Sequence, residues 1–510
     1  MNNKKGMIGI IIVAVLVIGG GAAAFLFVGN KTLKEQYFLA ESETIEQLGD
    51  LITDKFEDEI DWYENSLEKP IETKVELSAE YNDPAAEPIG GMFDVAELIN
   101  NSTIEVITQN DMKEKVSSVN LNANVAGMAI EDFKIQLTDD KLSIDLPFLE
   151  EDIVLQDKDV VRLANEFNPE TFAEGETIDF ADFFEAQREL LSDKDKKYFE
   201  KEYGLMIYKE IPESAFKSTS ETVEVNGEKV KTEKIDFTLT EQEVKDISLK
   251  IVEKLEKDNK AKSIFEDMYN QPSLGNLKDI SADYDKSLVE LKESIPNLKL
   301  PEGLLSTVWL KSDVVVKRDF NMIVGDKTEF TKVNITGDQN LDAKEKSLNY
   351  DFVIEDQDGL YAAKLKALLV TDGNKQSDEV VISAGFDKEV NDFELKYTAN
   401  ETADKGKHDF EREFVLSDDT QDMGKLFWEG KSVYEKDQMN SNHVFSVEAE
   451  GVSRDLFSLN ADFTGKQIKT VDKLDSAKEK DLGSMSVEEI NEYVEVHITN
   501  KFTEWLMGQM

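Results

Sequence analysis

Between Thr307 and about Thr470, apolar residues recur at every second position in a long series of short runs. Val308–Val316, Phe320–Val324, Phe330–Ile335, Leu348–Ile354, Ala362–Leu369, Val380–Ala384, Phe393–Tyr397, Phe410–Leu416, Leu426–Tyr434, Val444–Ala449 and Phe457–Phe463 each read as a strand. The turns between them are short and rich in Gly, Asp, Asn and Lys, as at Gly325-Asp326, Gly337-Asp338, Asp358-Gly359 and Asp372-Gly373-Asn374. Connections this short exclude parallel crossovers, so the pattern predicts an antiparallel meander. Alternation such as Leu348, Tyr350, Phe352 and Ile354 predicts one covered face and one wet face.

The N-terminal half mixes two periods. Ile45, Leu48, Leu51, Ile52, Phe56, Ile60 and Leu67 follow helical spacing and predict a helical segment over 31–70, ended by Pro70. Ile71, Thr73, Val75, Leu77, Ala79 and Tyr81 then alternate as a half-buried strand. A short helix around Asp94–Asn100 precedes further strands at Ile104–Gln109, Val116–Val125, Ile130–Leu137, Leu142–Leu146 and Ile153–Leu155. Residues 175–216 read as mostly helical. Asn226-Gly227 marks a type I′ hairpin, because both residues tolerate positive φ. Its second strand runs into Thr240-Glu-Gln-Glu243, a capping box, and Ser486-Val-Glu-Glu489 is another.

These elements predict an α+β fold: large curved antiparallel sheets, mainly meander, with helices packed on one face and one N-terminal transmembrane helix. The expected divisions are 1–30, a short tail and anchor; 31–70, helical; 71–306, an N-terminal α+β lobe; 307–480, the meander lobe; and 481–510, an amphipathic helix. The anchor is read at Met7–Val28, a run without charge through Met7, Ile12, Leu16, Phe25 and Val28. A helix of that length spans a hydrocarbon core about 30 Å thick. Ala22-Ala23-Ala24 also offers small residues of the kind found at signal-peptide cleavage sites. Continuation of the apolar run through Phe25-Leu26-Phe27-Val28 favours a retained anchor. Either way the bulk of the chain is expected outside the cell, attached to the cell membrane by a single pass.

Composition narrows the function classes. The chain has 510 residues, 107 Asp+Glu against 58 Lys+Arg, a net charge of −49 and no Cys. Disulfides, thiolate metal sites, cysteine nucleophiles and lipid-modified cysteines are therefore excluded. Such acidity also opposes sequence-independent nucleic-acid binding, so no nucleic-acid partner is expected.

Candidate chemistry is sparse. His408, His443 and His497 lack metal-ligand spacing, and no nucleophile elbow, P-loop or dinucleotide fingerprint occurs. Asp418, Thr420, Asp422 and Glu429 copy some positions of an EF-hand loop, but Met423 stands where glycine is needed. Asp356-Gln357-Asp358-Gly359 reads as a hairpin turn, and Lys194, Lys196, Lys197 and Lys201 as a solvated helix face. No catalytic residue, cofactor or metal is expected.

The Asn226-Gly227 hairpin leading into the Thr240 helix, followed by Thr307-Val308-Trp309-Leu310 and the Val314–Phe320 entry to the meander, resembles an uncharacterised family of single-span, membrane-anchored extracellular proteins of low-GC Gram-positive bacteria. The resemblance spans essentially the whole chain and implies no catalytic motif. At the level of architecture the chain is also similar to lipoprotein-carrier and lipid-binding lipoprotein folds, which implies an apolar groove. The resulting expectation is a non-enzymatic envelope module that binds lipid or another hydrophobic ligand and contacts the membrane through its N-terminal helix. An envelope protein partner is possible on this reading. The alternative is a structural or adhesive cell-surface protein acting through protein–protein contacts.

Overall fold

Strand-forming residues with two-residue turns dominate the computed structural model. It describes residues 32–83, 95–169, 171–172, 175–186, 192–269, 284–326, 329–341, 344–386, 392–474 and 478–509. Among these, the strands of the first half are β1 (Ile71–Tyr81), β2 (Thr103–Asp111), β3 (Val116–Val125), β4 (Met128–Thr138), β5 (Lys141–Asp145), β6 (Asp152–Gln156), β7 (Phe216–Val225) and β8 (Glu228–Leu239). They continue with β9 (Leu304–Lys311), β10 (Val314–Gly325), β11 (Phe330–Asn340), β12 (Glu345–Asp356), β13 (Gly359–Asp372) and β14 (Lys375–Gly385). The last are β15 (Phe393–Asp404), β16 (Lys407–Ser417), β17 (Asp422–Tyr434), β18 (Gln438–Ala449), β19 (Phe457–Gln467) and β20 (Glu479–Asp481). Hydrogen bonding assigns these twenty strands to one sheet, mostly antiparallel, with β20 parallel to β6.

Contacts divide the chain into two units. The first comprises Met1–Lys55, Glu189–Asn400 and Glu413–Met423. Its core is built where helices meet β7–β11. Helix α1 (Leu33–Thr53) starts at a Thr32/Glu35 capping box and buries Tyr37, Phe38 and Ala40. The rings of Phe216 and Phe237 stack with centroids 4.7 Å apart, and Tyr37 and Phe38 pack against both. The predicted Thr240/Glu243 box forms and opens the helix Glu241–Leu255, whose Val244, Ile247, Ile251 and Val252 are buried. Asn226 and Gly227 take φ of 47° and 79°, the positive pair that a type I′ hairpin requires. Arg318 and Glu41 form a two-pronged ion pair, Nη1–Oε1 2.9 Å and Nη2–Oε2 2.5 Å. Burial alone would lower the Arg318 pKa, but the neighbouring Glu41 carboxylate raises it overall.

The second unit comprises Phe56–Arg188, Glu401–Arg412 and Gly424–Met510. Here β1 lies between β2 and β19, with Val75 opposite Val106 on one side and Phe463 on the other. The predicted Ser486/Glu489 box forms, and the C-terminal segment places Phe502 and Trp505 against Phe133 and Phe148.

The sequence expectation of an α+β fold with helices along one face and a transmembrane helix is corrected. The chain is governed by a twenty-stranded, mostly antiparallel sheet. In the first unit, the large buried cluster takes in α1, the helices before and after the β7–β8 hairpin, and strands only as far as β11. The meander beyond β11 propagates hairpin by hairpin, and the helix Glu57–Glu68 packs on part of it, with Asp58 on His408 and the Trp62 ring against Gly465. No helix of the described residues is long and apolar enough to cross a membrane. Met7, Ile12, Leu16, Phe25 and Val28 lie outside the described residues. The helical segment expected over 31–70 is divided into α1 and α2 (Glu57–Glu68).

Candidate functional site

Strict alternation on β10–β14 gives the sheet two unlike faces. Phe320, Ile335, Phe352, Ala363 and Ala384 are register partners in one apolar row. Three residues along each strand, on the opposite face, Lys317 pairs with Asp338, Asp338 with Asn349, Asn349 with Lys366 and Lys366 with Val381. The neighbouring row on that face carries Ser347, Leu368 and Glu379. A charged strip thus crosses strands whose other side carries the Phe320–Ala384 apolar row.

The β7–β8 hairpin supplies the wall of this strip. Val223 and Val225 pack with Trp309 and Val316 in a small buried cluster of their own, which fixes the hairpin against β9 and β10. The tip then reaches the strip, and the backbone N–H of Asn226 donates to Oδ1 of Asp338 over 3.0 Å. Nδ2 of Asn349 approaches Oδ2 of the same carboxylate at 3.5 Å. Trp309 donates its indole N–H to Oε2 of Glu221 at 3.0 Å, and its ring lies 5.7 Å from the ammonium groups of both Lys234 and Lys317. At that separation the lysine is attracted by the ring quadrupole, toward β9 and away from Asp338 on β11.

The result is a cleft of about 590 Å³ between the hairpin tip and β10–β14, within the range of small-molecule sites. Glu224, Lys317, Asp338, Lys366 and Glu379 contribute charges of both signs to it. Lys317 and Lys366 form no ion pair with any described carboxylate, and Asp338 and Glu224 none with any described cation. Ser347 also lines the cleft. It is only 8% exposed, and its Oγ has no hydrogen-bond partner. A buried hydroxyl without a partner costs about 1–3 kcal/mol unless something else satisfies it.

Sequence reading missed this site because it took Gly337-Asp338 as a turn. Both residues lie inside β11. Glycine is required there because a Cβ at 337 would meet the Tyr350 ring at 2.5 Å and the Asn349 carbonyl oxygen at the same distance. The usable signal was the period-two placement of Lys317, Asp338, Asn349 and Lys366 opposite the apolar positions of their strands.

The residues singled out in sequence lie elsewhere and serve other ends. In the second unit, His408 bridges two carboxylates, with Nδ1 2.8 Å from Oε1 of Glu401 and Nε2 2.9 Å from Oδ2 of Asp58. The hydrogen bond to Glu401, with help from Asp58, raises its pKa to about 9 against the opposing effect of burial. Arg412 donates to Glu401 and stacks on Phe410 and Trp428, 4.0 and 4.4 Å from the ring centres. His443 accepts from the Trp428 indole at 3.0 Å, and burial, assisted by the Arg412 charge, lowers its pKa. His497 pairs with Glu151 at 3.2 Å. Asp418 accepts from Thr420 and Gln421 in a tight turn ahead of β17, so the EF-hand context fails. Asp356 accepts from the Asp358 and Gly359 amides, forming the expected hairpin turn. Among the described residues no group of His, Asp and Glu is arranged to hold a metal ion.

No family model and no curated protein matches the chain. Solved structures do match. They include OccK9 (OpdG) of Pseudomonas aeruginosa, 7% identical with TM-score 0.24, covering 78% of this chain and 96% of that one. A BenF-like porin from Pseudomonas fluorescens is 5% identical with TM-score 0.25, covering 79% and 98%. OmpT of Vibrio cholerae, an outer membrane protein with its loop L8 deleted, is 8% identical with TM-score 0.18, covering 78% and 97%. Superpositions this loose bring neither a pore nor a membrane to this chain. The resemblance to a single-span Gram-positive family and to lipoprotein-carrier folds is corrected: no family model matches the chain, and its strands form one twenty-stranded sheet. Corrected with it are the expectations that rested on it and on a membrane-crossing helix. These are the single-pass cell-membrane location, membrane contact through the N-terminal helix, the lipid-binding envelope module and its adhesive alternative; no helix of the described residues is long and apolar enough to cross a membrane.

Proposed function

We propose that this chain is a non-enzymatic solute-binding protein of the transport class, and that the cleft on the polar face of β10–β14 is where a small polar solute is held and released. The observation that carries this reading is the set of four charges in the cleft, Glu224, Lys317, Asp338 and Lys366, none of them ion-paired with a described residue. A bound solute would supply the missing counter-charges.

Saturation-transfer NMR on the full chain tests the proposal, using separate pools of monosaccharides, amino acids and dipeptides, dicarboxylates, and polyamines. Leu368→Trp adds bulk to the cleft from β13 while every charged residue of the lining is kept. The reading expects transfer to at least one pool, abolished by L368W. Transfer to none of the pools, or transfer that L368W leaves unchanged, would overturn it.

A further inference from the structure

We infer that the solute is a zwitterion, with its carboxylate directed toward Lys366 and its ammonium toward Asp338 and Glu224. This rests on the solute-cleft reading above and narrows it to a substrate class. Register fixes the geometry. Asp338 and Lys366 are two strands apart on the same face, about 10 Å between backbones at the usual strand spacing. Asn349 lies between them, a neutral amide able to donate and accept midway along a bound molecule. Lys317 is directly opposite Asp338, yet its ammonium rests against the Trp309 ring and forms no ion pair with that carboxylate. Asp338 is instead steadied by the hairpin tip, through the Asn226 amide. One carboxylate is therefore held in place without a cationic partner, and one lysine across the cleft stands without an anionic one.

A dianion would meet Asp338 and Glu224 with like charge, and a dication would meet Lys317 and Lys366 in the same way. A molecule carrying both signs, separated by a few bonds, satisfies both ends.

Isothermal titration of the full chain at low salt, with glycylglycine, succinate and putrescine as separate probes, tests the inference. Glycylglycine should bind saturably and at least tenfold more tightly than either of the others. Both K366A and D338N should weaken it at least tenfold. Circular dichroism and the unfolding midpoint of each variant verify that it folds. Succinate or putrescine binding as tightly as glycylglycine, with L368W abolishing it, would overturn the zwitterion and leave the solute cleft standing. Binding of none of the three would overturn the inference. If every pool in the saturation-transfer experiment were also silent, the cleft reading would fall with it.

Discussion

The Asn226 amide and the Asp338 carboxylate meet at 3.0 Å, joining the tip of the β7–β8 hairpin to the middle of β11. Because Asn226 holds positive φ beside Gly227, the amide points outward from the turn at a fixed place. Substituting Gly227→Val should strain the turn by about 1 kcal/mol or more and loosen the tip from Asp338. A weaker response of the cleft to solute, with a modest fall in the unfolding midpoint, is the expected outcome of titration and denaturation together.

Arg318 and Glu41 form a buried ion pair in the first unit, with Glu41 only 2% exposed. Removing one partner leaves the other charge in a site that water barely reaches. Glu41→Ala should cost about 3–5 kcal/mol, read as a lower urea midpoint. The double replacement Glu41→Leu with Arg318→Met should recover much of that loss. If the single variant lost less than about 1 kcal/mol, the pair would be more solvated than its geometry indicates.

His408 makes stability depend on pH. Facing it are Asp58 and Glu59 from α2, Glu401 from β15, Arg412 from β16 and the Tyr434 ring from β17. Its folded pKa, about 9, lies above the ordinary value near 6.5. The protonated form is therefore favoured by folding. That contribution, up to about 3 kcal/mol, is complete below roughly pH 6.5 and is lost as pH rises through about 9. Unfolding free energies measured from pH 6 to 10 should fall across that window, and His408→Gln should remove that part of the slope. An unchanged slope in the variant would assign the effect to other groups.

Two glycines in the second unit separate backbone strain from crowding. Gly406 has φ of 75°, and a Cβ there would meet the Tyr434 carbonyl oxygen at 2.5 Å. Gly451 has φ of 78° with nothing within 4 Å. Gly451→Ala should therefore cost about 1 kcal/mol from strain alone, and Gly406→Ala distinctly more. Equal losses in thermal or urea unfolding would show that the chain near Tyr434 yields easily.

What could be read in the sequence was what neighbouring residues decide among themselves. The Asn226-Gly227 turn, the Thr240/Glu243 and Ser486/Glu489 capping boxes and most strands of the meander follow from local sterics and hydrogen bonds. The pairing of β1 with β19 joins Val75 to Phe463, and nothing in either strand specifies the other. The cleft needed more still, since the register of four strands had to be correct before Lys317, Asp338, Asn349 and Lys366 fell into line. A glycine that marks turns in most contexts was here making room for the Tyr350 ring, and Asp338 was hidden beside it. The anchor expected at Met7–Val28 lies outside the described residues.

The most direct test of the solute cleft is a map of backbone amide shifts in the deuterated, ¹⁵N-labelled chain on adding glycylglycine, succinate or putrescine. The account predicts saturable shifts for at least one of them, centred on Asn226, Gly227, Ser347 and Asn349 and absent in L368W. Shifts centred elsewhere, or none with any probe, would contradict it.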